Sequence, residues 1–448
     1  MASRTKDMTQ GSPMRLIVFF ALPILFGNLF QQLYSLVDTL VVGRVEGVTA
    51  LAAVSSAGWL DWTVLGLAMG LAQGFAIQIA QSFGAGDYAE LRQAAGQSIV
   101  LSCVVVVVLE VVAQLLLHPV LVLMQTPPDT FPLTKIYLRI IFGGLPFTMG
   151  FNLLSGFLRS VGNSRTPLLA MTSAALCNIV LDILFVAYFR WGVVGVAAAT
   201  VTSQSLSCLI CLIAVIRLPL LKLVPQDYRI TRSMTTRLMR LGVPLAFQNF
   251  IISVGGLVLQ GVVNAQGFIF MAGYSAASRL QGLVEMGGIA VGSAVGTFTG
   301  QNFGARKMDR VRAGLRASVL TSTVLAVIIA GSLVIWGKPL LQLFIDDDPA
   351  IVTQVLTFGY HFLLFMASGL FALYLLIVYR SALQGLGDTF IPMVSGIVEL
   401  FMRIGAALIL PHLWGEWGIY SAEILAWVGA AVLLIWGYYR RMRAYPAG

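Results

Sequence analysis

The sequence predicts an all-α polytopic membrane protein, with twelve transmembrane helices in two homologous six-helix bundles around a central cleft. Three observations predict it. The chain is too apolar for water, its apolar runs are as long as a bilayer is thick, and its two halves repeat one another.

Of 448 residues, 58% are hydrophobic and only 10% are charged. A soluble domain carries about 25% charged residues, so this chain cannot cover a soluble globule of its size. A mean hydropathy of +0.88 agrees. A spanning helix takes roughly 20 apolar residues and a connection several more, which leaves room for about twelve or thirteen spans. No large soluble domain fits beside them. The longest polar stretch, Arg217 to Arg240, is too short to fold alone.

Apolar runs fall at about 14–42, 50–80, 94–117, 131–157, 165–189, 193–217, 238–263, 270–298, 314–337, 350–380, 390–410 and 417–439. They are continuous rather than alternating, which favours helices over a barrel. The segment before the first run has no apolar core of its own, so that run reads as a span and not as a cleaved signal. The basic residues test the count. With cytoplasmic termini, twenty-one of the 28 Lys and Arg fall in cytoplasmic segments, and the opposite loops hold only Arg44, Arg190 and Lys338. That bias supports an even number of spans in a cell membrane, with both termini cytoplasmic. The net charge of +9 is then topology charge and calls for no nucleic acid.

The internal repeat is legible in order along the chain. QSFGAGD begins at Gln81 and QNFGARK at Gln301, 220 residues apart. Pro23 and Asn28 match Pro244 and Asn249 at an offset of 221. Gly162 and Pro167 match Gly387 and Pro392 at 225, and Trp191 matches Trp417 at 226. The halves are therefore 1–225 and 226–448. Six spans each give both halves the same orientation, related by a pseudo-two-fold axis along the membrane normal. Transporters so built hold substrate between the halves, near the midplane. Pro23 and Pro244 predict kinks early in each half.

Ionisable groups inside a span are expensive and mark function by default. Here they are Asp38, Asp61, Glu110, Asp182, Arg279, Glu285, Glu399, Arg403 and Glu423. Asp61, Glu110 and Glu423 sit where interfacial water is within reach. Asn178 and Asp182 are four apart and share a helix face. A carboxylate and an amide there can hold a proton or a sodium ion; the plain alternative is an Asn bonded to a neighbouring helix. Gln31, Tyr34 and Asp38 also share one face, and their plain alternative is an interfacial Asp that pairs locally. Glu399 and Arg403 read first as an intrahelical ion pair. Arg279 and Glu285 are six apart, so each calls for a partner on another span. With Asn28, Gln248 and Asn249, the residues Gln31, Tyr34, Arg279, Glu285, Glu399 and Arg403 are the candidates to line the cleft. The halves differ chemically: Leu259 stands opposite Asp38 in the repeat, and Ala407 opposite Asp182. Cys208 and Cys211 lack the second pair or the His that a metal site needs. No Walker sequence is present, which excludes ATP hydrolysis by this chain, and no cofactor is implied.

The pattern LPILFGNLFQQLYSLVDTLVVGRVEGVTALAAV, then QSFGAGD, then CNIVLDILF with WGVVGVAAAT, then TGQNFGARKMDRV, resembles the multidrug and toxin extrusion (MATE) family over essentially the whole chain. The resemblance implies a V-shaped pair of six-helix bundles and antiport, with export of amphipathic, often cationic, small organic compounds driven by proton or sodium entry. It implies a cation site at Asp38, Asn178 and Asp182, where sodium is one possible occupant. Some relatives carry a second cation site with acids in helices 7 and 10. Here span 7 reads PLAFQNFIISVGG and span 10 has no acid in its apolar body, so coupling belongs to the N-terminal half.

Three rivals remain at this stage. A lipid-linked precursor flippase would need a strongly cationic cavity, yet the intramembrane acids outnumber Arg279 and Arg403. A membrane-embedded transferase would need an interfacial catalytic cluster and long loops. A passive channel would carry downhill flux without coupling. Nothing requires more than a monomer in the lipid bilayer.

Overall fold

The computed structural model describes residues 5–343 and 349–445. Arg4, one of the cytoplasmic basic residues counted above, lies outside them. Among the described residues the chain is helical with no strand. The helices are α1 (Pro13–Val45), α2 (Gly47–Ala85), α3 (Tyr88–Leu123), α4 (Phe131–Gly143), α5 (Leu145–Ser160), α6 (Arg165–Asp182) and α7 (Gly192–Ile216). Then come α8 (Arg232–Asn264), α9 (Phe268–Gly304), α10 (Met308–Gln342), α11 (Pro349–Gly385), α12 (Phe390–Ile409), the single turn α13 (Pro411–Trp414) and α14 (Glu416–Met442). A π-helical turn, Ile183–Tyr188, continues α6 without a break.

Each of the twelve apolar runs meets a helix or a helix pair. Ten helices are long and apolar enough to cross a membrane, and α4 with α5, bent by 45°, makes an eleventh span. The twelfth run is α9, which is 37 residues long but rich in Gly and carries Arg279 and Glu285. Pro23 and Pro244 lie inside the continuous helices α1 and α8.

By packing, the chain forms two compact units. One comprises Leu22–Phe250 with the chain up to Asp7; the other comprises Met8–Ala21 and Ile251–Gly448. The repeat concerns the ancestry of the sequence, whereas the units concern what packs on what. The first turns of α1 and the last turns of α8 therefore belong to the second unit. Within that unit, Leu16, Ile17 and Phe20 are buried.

The repeated motifs are the joints of the fold. In the first unit α2 ends at Gly86, whose φ of 73° is left-handed, and the Asp87 carboxylate accepts the Glu90 N–H to start α3. This is the usual exchange of a glycine stop for an acidic N-cap. In the second unit Arg306 takes the left-handed turn at φ 57°. There the motif holds the segment ahead of α1. Met8 N–H donates to Gln301 Oε1 at 2.8 Å, and Arg310 donates to the carbonyls of Met8 and Gly11 at 3.1 and 2.9 Å. Lys307 adds a bond to the Thr9 carbonyl at 3.1 Å.

Glycine allows the closest helix approach in the first unit. A Cβ on Gly74 of α2 would stand 2.3 Å from Gly242 Cα of α8, and one on Gly70 would stand 2.4 Å from Ala246 N. Asn249 of α8 donates to the Gly66 carbonyl of α2 at 3.0 Å, one turn further along.

Candidate functional site

The register of α1 against α6 builds the site in the first unit. Gly27 of α1 lies against Leu168 and Met171 of α6. Counting eleven residues on from Gly27 gives Asp38, and eleven on from Met171 gives Asp182. The two carboxyl groups meet at hydrogen-bonding range, so the helices run parallel. One turn earlier, Tyr34 stands level with Asn178. The Tyr34 hydroxyl is within hydrogen-bonding range of Gln31 and feels Asp38, Asp61 and Asp182 electrostatically. The structure thus brings together the two helix faces that the spacing defined separately.

The polar atoms of this cluster lack donors. Asp182 is 0% exposed and Asn178 is 1% exposed. Both Asp182 carboxylate oxygens, both polar atoms of the Asn178 amide, and Asp38 Oδ1 are buried without a hydrogen-bond partner. Two carboxylates facing one another offer only acceptors, so a bond between them needs a proton on one of them. An unsatisfied buried polar group costs about 1–3 kcal/mol, and such a group in a native fold asks for an explanation.

One turn beyond the acids the unit becomes dry. Val42 follows Asp38 by four residues and Val186 follows Asp182 by four. Both enter a small apolar cluster with Ala50, Val193 and Val196. The α6–π turn and α7 form a helical hairpin closed by Trp191 N–H to the Phe185 carbonyl at 2.9 Å. On the returning α7, Thr200 lies one turn from Val196, back toward the level of Asp182. Its Oγ1 is also buried without a partner. Sequence reasoning missed Thr200, because one hydroxyl in an apolar run carries no signal without the hairpin register.

Asp61, expected to reach interfacial water, is half-buried, with its Oδ1 buried and without a partner. Glu423, given the same expectation, is instead buried.

In the second unit the structure corrects the expected pairs. Glu399 and Arg403 do not form an intrahelical ion pair. Glu399 of α12 takes Arg380 of α11. Arg403 of α12 donates to Glu423 of α14 at 2.9 Å, with side chains 7% and 10% exposed. Each pair ties two helices, α11 to α12 and α12 to α14. Glu285 takes its bond from Gln281 of its own helix at 2.8 Å, not from another span. Arg279 is exposed, with no described partner. Leu259 and Ala407, which replace the acids in the repeat, are buried apolar groups.

The other cleft candidates scatter. Asn28 is half-buried and Gln31 exposed on α1. Gln248 of α8 is 2% exposed with its amide nitrogen unpartnered, whereas Asn249 is spent on α2 as described above.

Comparison with known proteins agrees with this architecture. The MatE family model matches residues 23–184 and 244–409, two segments whose starts lie 221 residues apart and whose ends lie 225 apart. Those separations are the offsets of the repeat. The chain is 31% identical over 349 residues, 77% of either chain, to the probable multidrug resistance protein YpnP of Bacillus subtilis. It is 26% identical over 451 residues to the probable multidrug resistance protein YoeA of the same organism, covering 97% of this chain and 95% of that one. Among solved structures, a multidrug resistance MATE family transporter of the MOP superfamily matches with a TM-score of 0.92 at 23% identity over 98% of both chains. With two matched segments, a paired-helix acid cluster and relatives over its length, the chain belongs to the MatE family of multi-pass membrane transporters.

Proposed function

We propose that the chain is a secondary active exporter of amphipathic, predominantly cationic, small organic compounds, driven by proton entry through Asp38, Asn178 and Asp182. It works as a monomer in the cell membrane with both termini on the cytoplasmic side, and without ATP. The observation that carries the reading is the pair of facing carboxyl groups buried without a donor. A proton joins them without any further ligand, because it turns one carboxyl into the donor the other lacks. Asn178, one turn away with both amide atoms free, can bond the pair in either protonation state. The acids lie in spanning helices, where ionisable groups mark ion pathways.

Loading this pair changes the charge on α1 and α6 at one level, directly below the apolar seal of Val42 and Val186. In the outward-open state, proton arrival removes repulsion between the two helices and lets them close. Closure lowers affinity for the organic cation, which leaves. Proton release toward the cytoplasm restores the first state. Cationic cargo is favoured over an anionic lipid-linked precursor, since Arg403 is engaged by Glu423 and leaves Arg279 as the one unpaired arginine of the two candidates, among the described residues, against the acids of the first unit.

The test is ethidium efflux from proteoliposomes under separately imposed proton and sodium gradients. A proton gradient is expected to drive efflux in the wild type and not in Asp182→Asn, with the variant's melting temperature unchanged. Undiminished efflux by Asp182→Asn would sink the site, and efflux driven by sodium alone would sink the choice of ion.

A further inference from the structure

The first unit holds three acids within its spans, Asp182 buried and Asp38 and Asp61 half-buried, each of the latter with its Oδ1 buried and unpartnered. Among the described residues, no Lys, Arg or His bonds or ion-pairs with any of them. The second unit is built differently, with Glu399 and Glu423 each on an arginine. The Asp38–Asp182 pair explains two of the three acids. Asp61 has no such mate.

Its position follows from α2 and α4. Ser56 Oγ lies 3.3 Å from Thr134 Oγ1, and Thr134 Oγ1 donates to the Ala53 carbonyl at 3.3 Å. From that contact Asp61 is five residues on along α2, and Tyr137 three on along α4. The two are therefore within about one turn of the same level. Tyr137 and Tyr34 each lie within electrostatic reach of Asp61, Asp38 and Asp182. Two phenols therefore lie near both Asp61 and the carboxyl pair, each able to accept and donate a proton.

The remaining charged groups on the helices packed around Asp61 are turned elsewhere. Lys135 of α4 lies 3.4 Å from His118 of α3, and Arg139 is exposed. Glu110 of α3 is half-buried, and Arg159 of α5 lies beside Cys211. Arg237 of α8 is paired with Glu90, and α7 has no charged residue. A buried carboxylate oxygen is relieved by a counter-charge or by a proton, and among the described residues no Lys, Arg or His pairs with Asp61.

We propose that Asp61 is a second exchangeable-proton site of the first unit, joined to the Asp38–Asp182 pair through Tyr137 and Tyr34, so that two protons enter for each organic cation exported. The proposal rests on the exporter reading given above, and the experiment separates the two.

Ethidium flux is measured in proteoliposomes with the membrane potential clamped at zero. At each imposed pH difference, the ethidium ratio that gives no net flux is found. Each coupled proton contributes about tenfold to that ratio per pH unit. The wild type is expected to balance about a 100-fold ratio per pH unit and Asp61→Asn about a tenfold one. A tenfold ratio in the wild type, or an unchanged 100-fold ratio in Asp61→Asn, overturns the second site and leaves the exporter standing. A balancing ratio independent of pH in the wild type overturns the proton-coupled reading itself. If Asp61→Asn fails to fold, the wild-type ratio still decides, and Asp61→Glu, which keeps an acid, is expected to retain about 100-fold.

Discussion

Replacing Gly74 by Ala puts a methyl group where α2 and α8 touch. The added carbon would stand 2.3 Å from Gly242 Cα, 2.5 Å from its N and 2.7 Å from the Leu241 carbonyl carbon. Carbon atoms rest at about 3.5–4.0 Å, so the shortfall exceeds an ångström and is against backbone, which cannot rotate away. The helices must part, and a gap of about 1 Å forfeits up to half of each neighbouring contact. Overpacking of this kind costs about 1–3 kcal/mol. Alanine also gains about 1 kcal/mol of helix propensity over glycine, and this must be removed from the comparison. Gly58, on the same helix, has nothing within 4 Å of its would-be Cβ. Gly58→Ala therefore takes the propensity gain without the clash, and the difference between the two variants isolates the packing term. In a thermal-unfolding assay on detergent-purified protein, Gly74→Ala is expected to melt several degrees below Gly58→Ala. Equal melting temperatures would refute the close approach of the two helices.

The charge pairs of the second unit make a complementary prediction. Arg403→Met or Glu423→Gln alone leaves a buried charge unpaired and should destabilise by about 3–5 kcal/mol, while the double variant recovers most of the loss; a thermal double-mutant cycle measures the coupling. Arg310→Ala removes the bonds to Met8 and Gly11, and limited proteolysis should then cut ahead of α1 faster than in the wild type. Val186→Ser places a hydroxyl in the apolar cluster above the acids, and should raise substrate-independent proton leak in proteoliposomes measured with an entrapped pH dye.

The fold was legible because the membrane imposes a length and a polarity on every span, and because the two halves state the same pattern twice. The site was legible in part. Asn178 with Asp182, and Tyr34 with Asp38, follow from spacing on single helices. That the two pairs face each other depends on Gly27 packing against α6, which no periodicity displays. Glu399 and Arg403 misled for the same reason. Four residues apart, they satisfy a local rule, and partners on α11 and α14 satisfy a stronger one. Thr200 became visible only with the hairpin, and the place of Asp61 beside Tyr137 only with the α2–α4 register.

The π-helical turn after Asp182 has a consequence for how the chain tolerates change in length. Phe189 N–H bonds back to the Leu184 carbonyl, five residues away, so this stretch winds more slowly than the α-helix leading into it. It stores one residue more than a regular helix of the same rise. Removing a residue from Ile183–Tyr188 can therefore be absorbed by rewinding, whereas removing one between Arg165 and Asp182 would rotate Asn178 or Asp182 by about 100° away from α1. A scan of single-residue deletions along this helix should find its one permissive stretch immediately downstream of the acid. Length variation arising there would leave the phase of Asn178 and Asp182 against α1 intact.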